Sequence, residues 1–530
     1  MLETQAPVSS QRSVTEFIED LERTKKEIQE LYNLDTMPWI IGYSGGKDST
    51  AVLQLIWYAI SDLPVEKRIK KVYVITTDTR VENPIVSVSV KNSQEKIKIS
   101  AQKQELPIEP HLLYPDIKHT FWVSLMGKGY PTPRPRFRWC TERLKINPSN
   151  RFIRDVVRVN GEVMLVLGTR KTESTRRAAS MEKHEIGKIS DRLSDASSSI
   201  KSSLYYSSTL PNALIYSPIQ DWRTDEVWMY LMQWENPWGN DNKDLFTMYR
   251  GATADNECPL VIDTSTPSCG DSRFGCWVCT MVNKDKSMEA MIQNDEEKEW
   301  MQPLLDIRNE LDIENDRDKR DFRRIYGRVE LFERNIDGQI SVEPIPGPYT
   351  KFWREHWLRR VLEAQTKIRK TAPPDMRDIT LITPEELSEI RRIWLEEKHE
   401  FDDSLPRIYR EVTGEKFIDP RLGADNTLLG LDEWDILEEL SNGDAMHLEL
   451  MAKLLDTERQ YQTRTNRSGI YNALEKCFES SSRSKEEAIQ NAHEKRDLKT
   501  ASAEGDVEKV KQLSWANLKF GIGDDDSEEE

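Results

Sequence analysis

No stretch of this chain approaches the roughly 18 uninterrupted apolar residues that a membrane-spanning helix needs. The polar segment Met1 to Arg12 lacks the hydrophobic core of a secretory signal, so a cytoplasmic protein is expected. Cysteine is scarce, six in 530 residues, too few for a disulfide framework at that length. Positive charge is in deficit: 75 Lys and Arg face 92 Asp and Glu, a net charge of −17. That excess opposes a polyanion over the surface as a whole, so any contact with nucleic acid must be local. Fifteen tryptophans nevertheless argue for packed cores, and the length suggests roughly two to four domains.

The charge is unevenly placed. The tail Gly523 to Glu530 is almost wholly acidic and is expected to lack a packed structure. Arg134, Arg136, Arg138, Arg143 and Lys145 instead crowd one segment, with only Glu142 against them. Four of the six cysteines, Cys258, Cys269, Cys276 and Cys279, fall in one short segment, which points to metal or redox chemistry.

Phe17, Ile18, Leu21, Ile28 and Leu31 recur at helical spacing within residues 13–32. Strands are expected at Ile40–Tyr43, Lys71–Asp78, Gly161–Leu167 and Ala213–Ile219, with helices over 84–104 and Thr224–Gln233. This alternation predicts an α/β fold: a doubly wound parallel sheet that binds ligands at the carboxyl ends of its strands. The chain is expected to divide into an N-terminal helix (1–34), an α/β domain (35–235), a cysteine segment (236–300), a connecting region (301–374), a helical C-terminal region (375–520) and the acidic tail (521–530). Residues 180–212, rich in Ser, Lys and Asp, read as an insertion.

The most informative stretch is Ile40-Ile41-Gly42-Tyr43-Ser44-Gly45-Gly46-Lys47-Asp48-Ser49-Thr50, followed by the apolar helix pattern of Ala51, Val52, Leu53, Leu55 and Ile56. It reads as strand, glycine turn, helix N-terminus. The glycines permit close approach of a ligand, and the free N–H groups and dipole of the helix favour an anion. Ser44 and Ser49 add hydroxyl donors, and Lys47 adds charge. The spacing is not Gly-x-x-x-x-Gly-Lys-Ser/Thr, which excludes the phosphate loop of kinases and GTPases.

Further motifs fall at later strand ends. Asp78, Thr79, Glu82 and Pro84 follow the second strand, where a carboxylate can accept from a ribose or hold Mg²⁺. Gly168-Thr169-Arg170-Lys171-Thr172-Glu173-Ser174-Thr175-Arg176-Arg177 places four cations just past the third. In Pro218-Ile219-Gln220-Asp221-Trp222-Arg223-Thr224-Asp225-Glu226-Val227-Trp228, Thr224 or Asp225 is expected to cap a helix while both tryptophans pack. Four thiolates from Cys258, Cys269, Cys276 and Cys279 can hold a 4Fe–4S cluster, with tetrahedral zinc as the alternative. Pro259, Pro267, Phe274, Trp277 and Val278 would give such a cluster an apolar shell. That count leaves Cys140 free beside basic residues, which would favour its thiolate as a sulfur carrier.

In this order the motifs resemble those of phosphoadenosine-phosphosulfate reductases and their ATP pyrophosphatase (PP-loop) relatives, over about residues 35–235. The resemblance implies ATP and Mg²⁺, with ATP split between its α- and β-phosphates and Lys47 and Asp48 in the catalytic loop. It places the nucleotide on Ser44, Gly45, Gly46, Lys47, Asp48, Ser49, Asp78, Gly168 and Arg170. The substrate is then expected against Arg136, Arg138, Arg143, Arg170, Arg176 and Arg177.

Two departures separate the chain from the reductases themselves. The C-terminal Glu-Cys-Gly-x-His is missing, and the only late cysteine lies in Glu475-Lys476-Cys477-Phe478. The adjacent cysteine pair of cluster-bearing members is also missing, leaving Cys140 alone. The whole arrangement is similar to the ATP-pyrophosphatase-like subunits of bacterial DNA phosphorothioation systems. That likeness implies sulfur replacing a non-bridging backbone oxygen, with DNA contacted locally alongside other Dnd subunits and a cysteine desulfurase supplying the sulfur. Thiolation of tRNA or a small molecule, sulfonucleotide reduction, and a non-enzymatic scaffold are the competing expectations.

Overall fold

The computed structural model describes residues 12–135, 137–171, 204–207, 209–252, 275–324, 327–336, 339–420, 431–462, 467–481 and 484–518. Contacts divide the chain into two compact units, one of residues 1–121, 132–313 and 363–382, the other of 122–131, 314–362 and 383–530.

The first unit opens with α1 (Val14–Leu34), whose N-terminus is closed by a reciprocal capping box between Ser13 and Glu16. Then follow β1 (Trp39–Gly42), α2 (Lys47–Ser61), β2 (Val72–Thr77), α3 (Pro84–Lys103), β3 (Ile108–Leu113), α4 (Asn147–Asn160), β4 (Val163–Val166), β5 (Leu204–Tyr206), β6 (Ala213–Tyr216), α5 (Thr224–Gln233) and α6 (Asn242–Ala252). The strands form one sheet in the order β3-β2-β1-β4-β6-β5. Every neighbouring pair is parallel except β5–β6. Alternate residues of β1 serve opposite faces. Trp39 and Ile41 pack with α1, α2 and α5, whereas Ile40 packs with Ile153 and Val156 of α4. The sheet is therefore doubly wound, and its order reverses between β1 and β4, where open α/β sheets bind their ligands.

Three local features depart from the sequence expectations. β3 contains Pro110, which cannot donate to a central ladder; it is tolerated because β3 is the edge strand. β5 lies inside the stretch read as an insertion and closes the other edge. Arg223, rather than Thr224 or Asp225, is the N-cap of α5, with its N–H donating to Glu226 at 2.8 Å. Trp222 does pack, edge-on to Phe17 and Tyr230.

The second unit contains a hairpin, β7 (Leu331–Ile336) with β8 (Gln339–Pro344), and a helical region extending to Leu518. Trp357, Leu358, Ile390, Trp394, Leu405 and Ile408 are buried in it. Arg323 grips Glu449 with both terminal nitrogens (3.1 and 2.8 Å), and Lys453 adds a third bond at 2.6 Å. Burial alone would raise the Glu449 carboxyl, but these bonds and charges overcome it and hold it at about 2. An unfolded glutamate titrates near 4.3, so this stabilisation is complete above that pH and is lost as pH falls towards 2. Glu449→Gln should cost on the order of 2 kcal/mol in urea unfolding at neutral pH. The gap from wild type should close near pH 2; a gap that persists there would contradict the assignment. Among the described residues, no helix is long and apolar enough to cross a membrane.

Candidate active site

The chain leaves β1 at Gly42 and turns into α2 through Tyr43 to Gly46. Gly45 has φ +80°, and a Cβ there would meet Val90 Cγ2 at 2.5 Å, so the turn needs glycine on both counts. Gly46 is the N-cap of α2 and supplies no side-chain acceptor. The helix start is thus a place where an anion can take N–H donors. Ser44 and Ser49 face each other across the turn, with hydroxyls 3.1 Å apart. Gly168, just after β4, approaches so closely that a Cβ would lie 2.9 Å from the backbone of Asp48 and 3.1 Å from the nitrogen of Ser49.

Lys47, Asp48 and Arg170 are all buried here. Arg170 Nε lies 2.6 Å from one oxygen of Asp48, and Lys47 Nζ lies 3.3 Å from the other. Arg170 also donates to Thr224 Oγ1 at 3.2 Å and to the Trp222 carbonyl at 3.4 Å, which fixes its fork. Two cations therefore bracket one carboxylate and leave a positive charge in excess at the helix N-terminus. The Lys47 ammonium makes no well-formed hydrogen bond among the described residues and sits 5.1 Å from the centre of the Tyr249 ring. The Tyr249 hydroxyl accepts from the Lys47 N–H at 3.4 Å, the position where a phosphate oxygen would accept.

The end of β2 joins this loop to the cysteine segment. Asp78 is buried, accepting from the Arg80 N–H at 2.8 Å and paired with Lys91 at 3.1 Å. Backbone bonds from Asn83 to Gly275 and from Trp277 to Val81, both 2.9 Å, stitch the two segments together. Between them the buried Thr79 hydroxyl lies 2.9 Å from Glu82 Oε1 and 3.3 Å from Cys276 Sγ, and Lys145 pairs with Glu82 at 3.5 Å.

Cys140, Cys276 and Cys279 line one cavity of about 40 Å³ with Phe121, Pro133, Leu144, Lys145, Val278 and Met281. A water-sized body needs roughly 10–15 Å³ on this measure, so the cavity admits a group of several atoms. Its floor is braced: Arg308, buried, donates to the carbonyls of Cys279 and Asn283 at 3.0 Å each and to that of Val282. Thr280 donates to the Pro133 carbonyl at 2.6 Å.

The electrostatic expectation for Cys140 is corrected. Burial, then the nearby Cys279, push its thiol up to about 12; Lys145 offsets this only in part. Among the described arginines nearby, Arg138 donates to the Pro135 carbonyl at 3.1 Å and Arg134 to that of Ile313 at 3.4 Å. Burial, and then Glu82, likewise raise Cys276. Among the described residues, no three His, Cys, Asp or Glu side chains converge closely enough to hold a metal ion.

Of the other expected residues, Arg143 is half-buried. Arg136, Arg176, Arg177, Cys258 and Cys269 lie outside the described residues. The residues that sequence reading missed are Tyr249 and Arg308. Neither stands in a recognisable motif, and each reaches its place only through the tertiary fold.

Residues 38–238 match the family model of the phosphoadenosine phosphosulfate reductase domain. An uncharacterized protein of Methanocaldococcus jannaschii is 28% identical over 211 residues, which are 40% of this chain and 35% of that protein. The chain thus covers about a third of that relative's length. A crystal structure of phosphoadenylyl-sulfate reductase from Candida auris, in complex with phosphate, is 12% identical with a TM-score of 0.25, covering 45% of this chain and 94% of the other.

Proposed function

We propose that this chain, whose residues 38–238 match a phosphoadenosine phosphosulfate reductase domain, is an ATP pyrophosphatase serving sulfur transfer. The acceptor we assign is a backbone phosphate of DNA, as in DndC-type phosphorothioation subunits. The observation that carries the reading is the buried Lys47–Asp48–Arg170 arrangement at the start of α2. A net cation and a helix N-terminus whose N-cap, Gly46, has no side chain to occupy its N–H groups are what a departing pyrophosphate requires.

An oxygen of the acceptor phosphate attacks the α-phosphorus of ATP, and pyrophosphate leaves onto the N–H groups of α2, Lys47 and the hydroxyls of Ser44 and Ser49. The adenylated phosphate then has a good leaving group. Sulfide-level sulfur (HS⁻) attacks its phosphorus, forming the P–S bond and losing its proton to solvent, and AMP departs with the displaced oxygen. Asp48 and Asp78 each already face a cation, so Mg²⁺ would be held chiefly by the nucleotide's phosphates. Tyr249 must yield its place at the Lys47 N–H when a phosphate binds.

The thiol-lined cavity is where an iron–sulfur group would sit in this reading. Cys140, Cys276 and Cys279 would hold the group, with Cys258 or Cys269 completing it, and it would supply redox or sulfur-relay chemistry beside the nucleotide. This assigns Cys140 to the cavity wall.

Sulfonucleotide reduction is the second reading, favoured by the domain match alone. Cys477, the only late thiol, donates to the Ala473 carbonyl at 3.2 Å within its own helix, an ordinary structural role. Product analysis of anaerobically purified protein decides. With DNA and sulfide present, AMP and pyrophosphate from ATP are expected; ADP and orthophosphate would contradict the proposal, and sulfite from phosphoadenylyl sulfate would establish the second reading.

A further inference from the structure

The outer face of α4 is used by neither the phosphate loop nor the cysteine cavity. Its inner face is anchored, with Ile153 and Val156 buried in the sheet's second core and Ser149 bonded to Thr77 at the end of β2 (3.1 Å). Its outer face carries Arg151, Arg154 and Arg158, all exposed. Helical geometry puts the three within an arc of about 60°, with successive rises of about 4.5 and 6 Å.

The helix has one carboxylate, Asp155, 3.5 Å from Arg158. Among the described residues, Arg151 and Arg154 make no hydrogen bond or ion pair. Three guanidiniums in a row repel one another, and this row persists in a chain whose overall charge is −17. Its position is also specific. α4 follows directly on the π-helical turn Thr141–Ile146, which carries Lys145 and comes immediately after Cys140. The N-terminus of α4 stands at the carboxyl ends of the strands, and the arginine row runs outward from there.

We propose that this row is the seat of duplex DNA. Arg151, Arg154 and Arg158 contact successive backbone phosphates of one strand and direct that strand towards the carboxyl end of the sheet. The row is about 10.5 Å long, and one strand presents a phosphate per 3.4 Å of duplex axis, so about three phosphates fall along it. These contacts position the backbone and carry no sequence information. The inference rests on the reading of DNA as acceptor and adds where DNA lies.

The test is fluorescence anisotropy of the full chain with a labelled 25-base-pair duplex across about 50–200 mM salt, with Arg151→Gln/Arg154→Gln/Arg158→Gln as the variant. Wild type should bind with a salt-dependent affinity. The variant should bind more weakly, with the slope of log K against log salt reduced by about 2.7, three phosphates at 0.9 each. Its affinity for ATP without DNA should be unchanged, because no substituted residue touches the phosphate loop. Equal slopes in the two proteins, no wild-type binding at the lowest salt, or preferential binding of tRNA would each overturn the proposal. If wild type places sulfur in DNA yet the slopes are equal, the row fails and the functional reading stands. If the slopes differ as expected and no sulfur enters DNA, the row stands and the functional reading fails.

Discussion

Lys47→Ala should lower pyrophosphate release from ATP by at least about 10²-fold, the usual cost of losing one preorganised donor to developing phosphoryl charge. The fold should survive, because Asp48 keeps Arg170 at 2.6 Å and is not left uncompensated. Asp48→Asn is the instructive contrast. It would leave Lys47 and Arg170 as two buried cations without an anion, and breaking a buried pair typically costs about 3–5 kcal/mol. That variant should lose activity through destabilisation, seen as a lowered unfolding midpoint, whereas Lys47→Ala should lose it at a near-native midpoint. Activity within a few-fold of wild type in Lys47→Ala would show that the loop serves something other than phosphate.

The second large effect concerns the cavity. Serine at Cys140, Cys276 or Cys279 should each strip the bound iron and sulfide from anaerobically purified protein, since each removes one thiol from a single wall. Cys477→Ser, in the other unit, should leave iron content unchanged. Full iron in Cys140→Ser, with sulfur transfer abolished, would return Cys140 to the role of isolated sulfur carrier. One zinc per wild-type chain, with no iron, would replace the cluster altogether.

The glycine-loop half of the candidate site was legible in the sequence because its geometry is local. Ser44 to Ser49 form one contiguous turn, and Gly168 and Arg170 fall directly after the strand beside it. The parallel sheet also followed from alternation, apart from β3, where Pro110 masks an edge strand, and the three-residue β5. The cysteine half was less legible. Cys140 lies more than a hundred residues from Cys276, and counting thiols along the chain cannot show that they share a wall. Nor could the basic residues around Cys140 reveal that burial would outweigh their charge. Tyr249 and Arg308 were invisible for the same reason: an isolated tyrosine and an isolated arginine gain meaning only from the backbone groups the fold brings to them.

The central claim, adenylation of a DNA phosphate for sulfur exchange, is tested most directly in the DNA product. Genomic DNA from cells carrying the intact sulfur-modification system should be digested to nucleosides and analysed by mass spectrometry, with wild-type protein and with Lys47→Ala. Nuclease-resistant phosphorothioate dinucleotides should appear with wild type and vanish with the variant. Their absence with wild type, or their persistence with Lys47→Ala, would contradict the account.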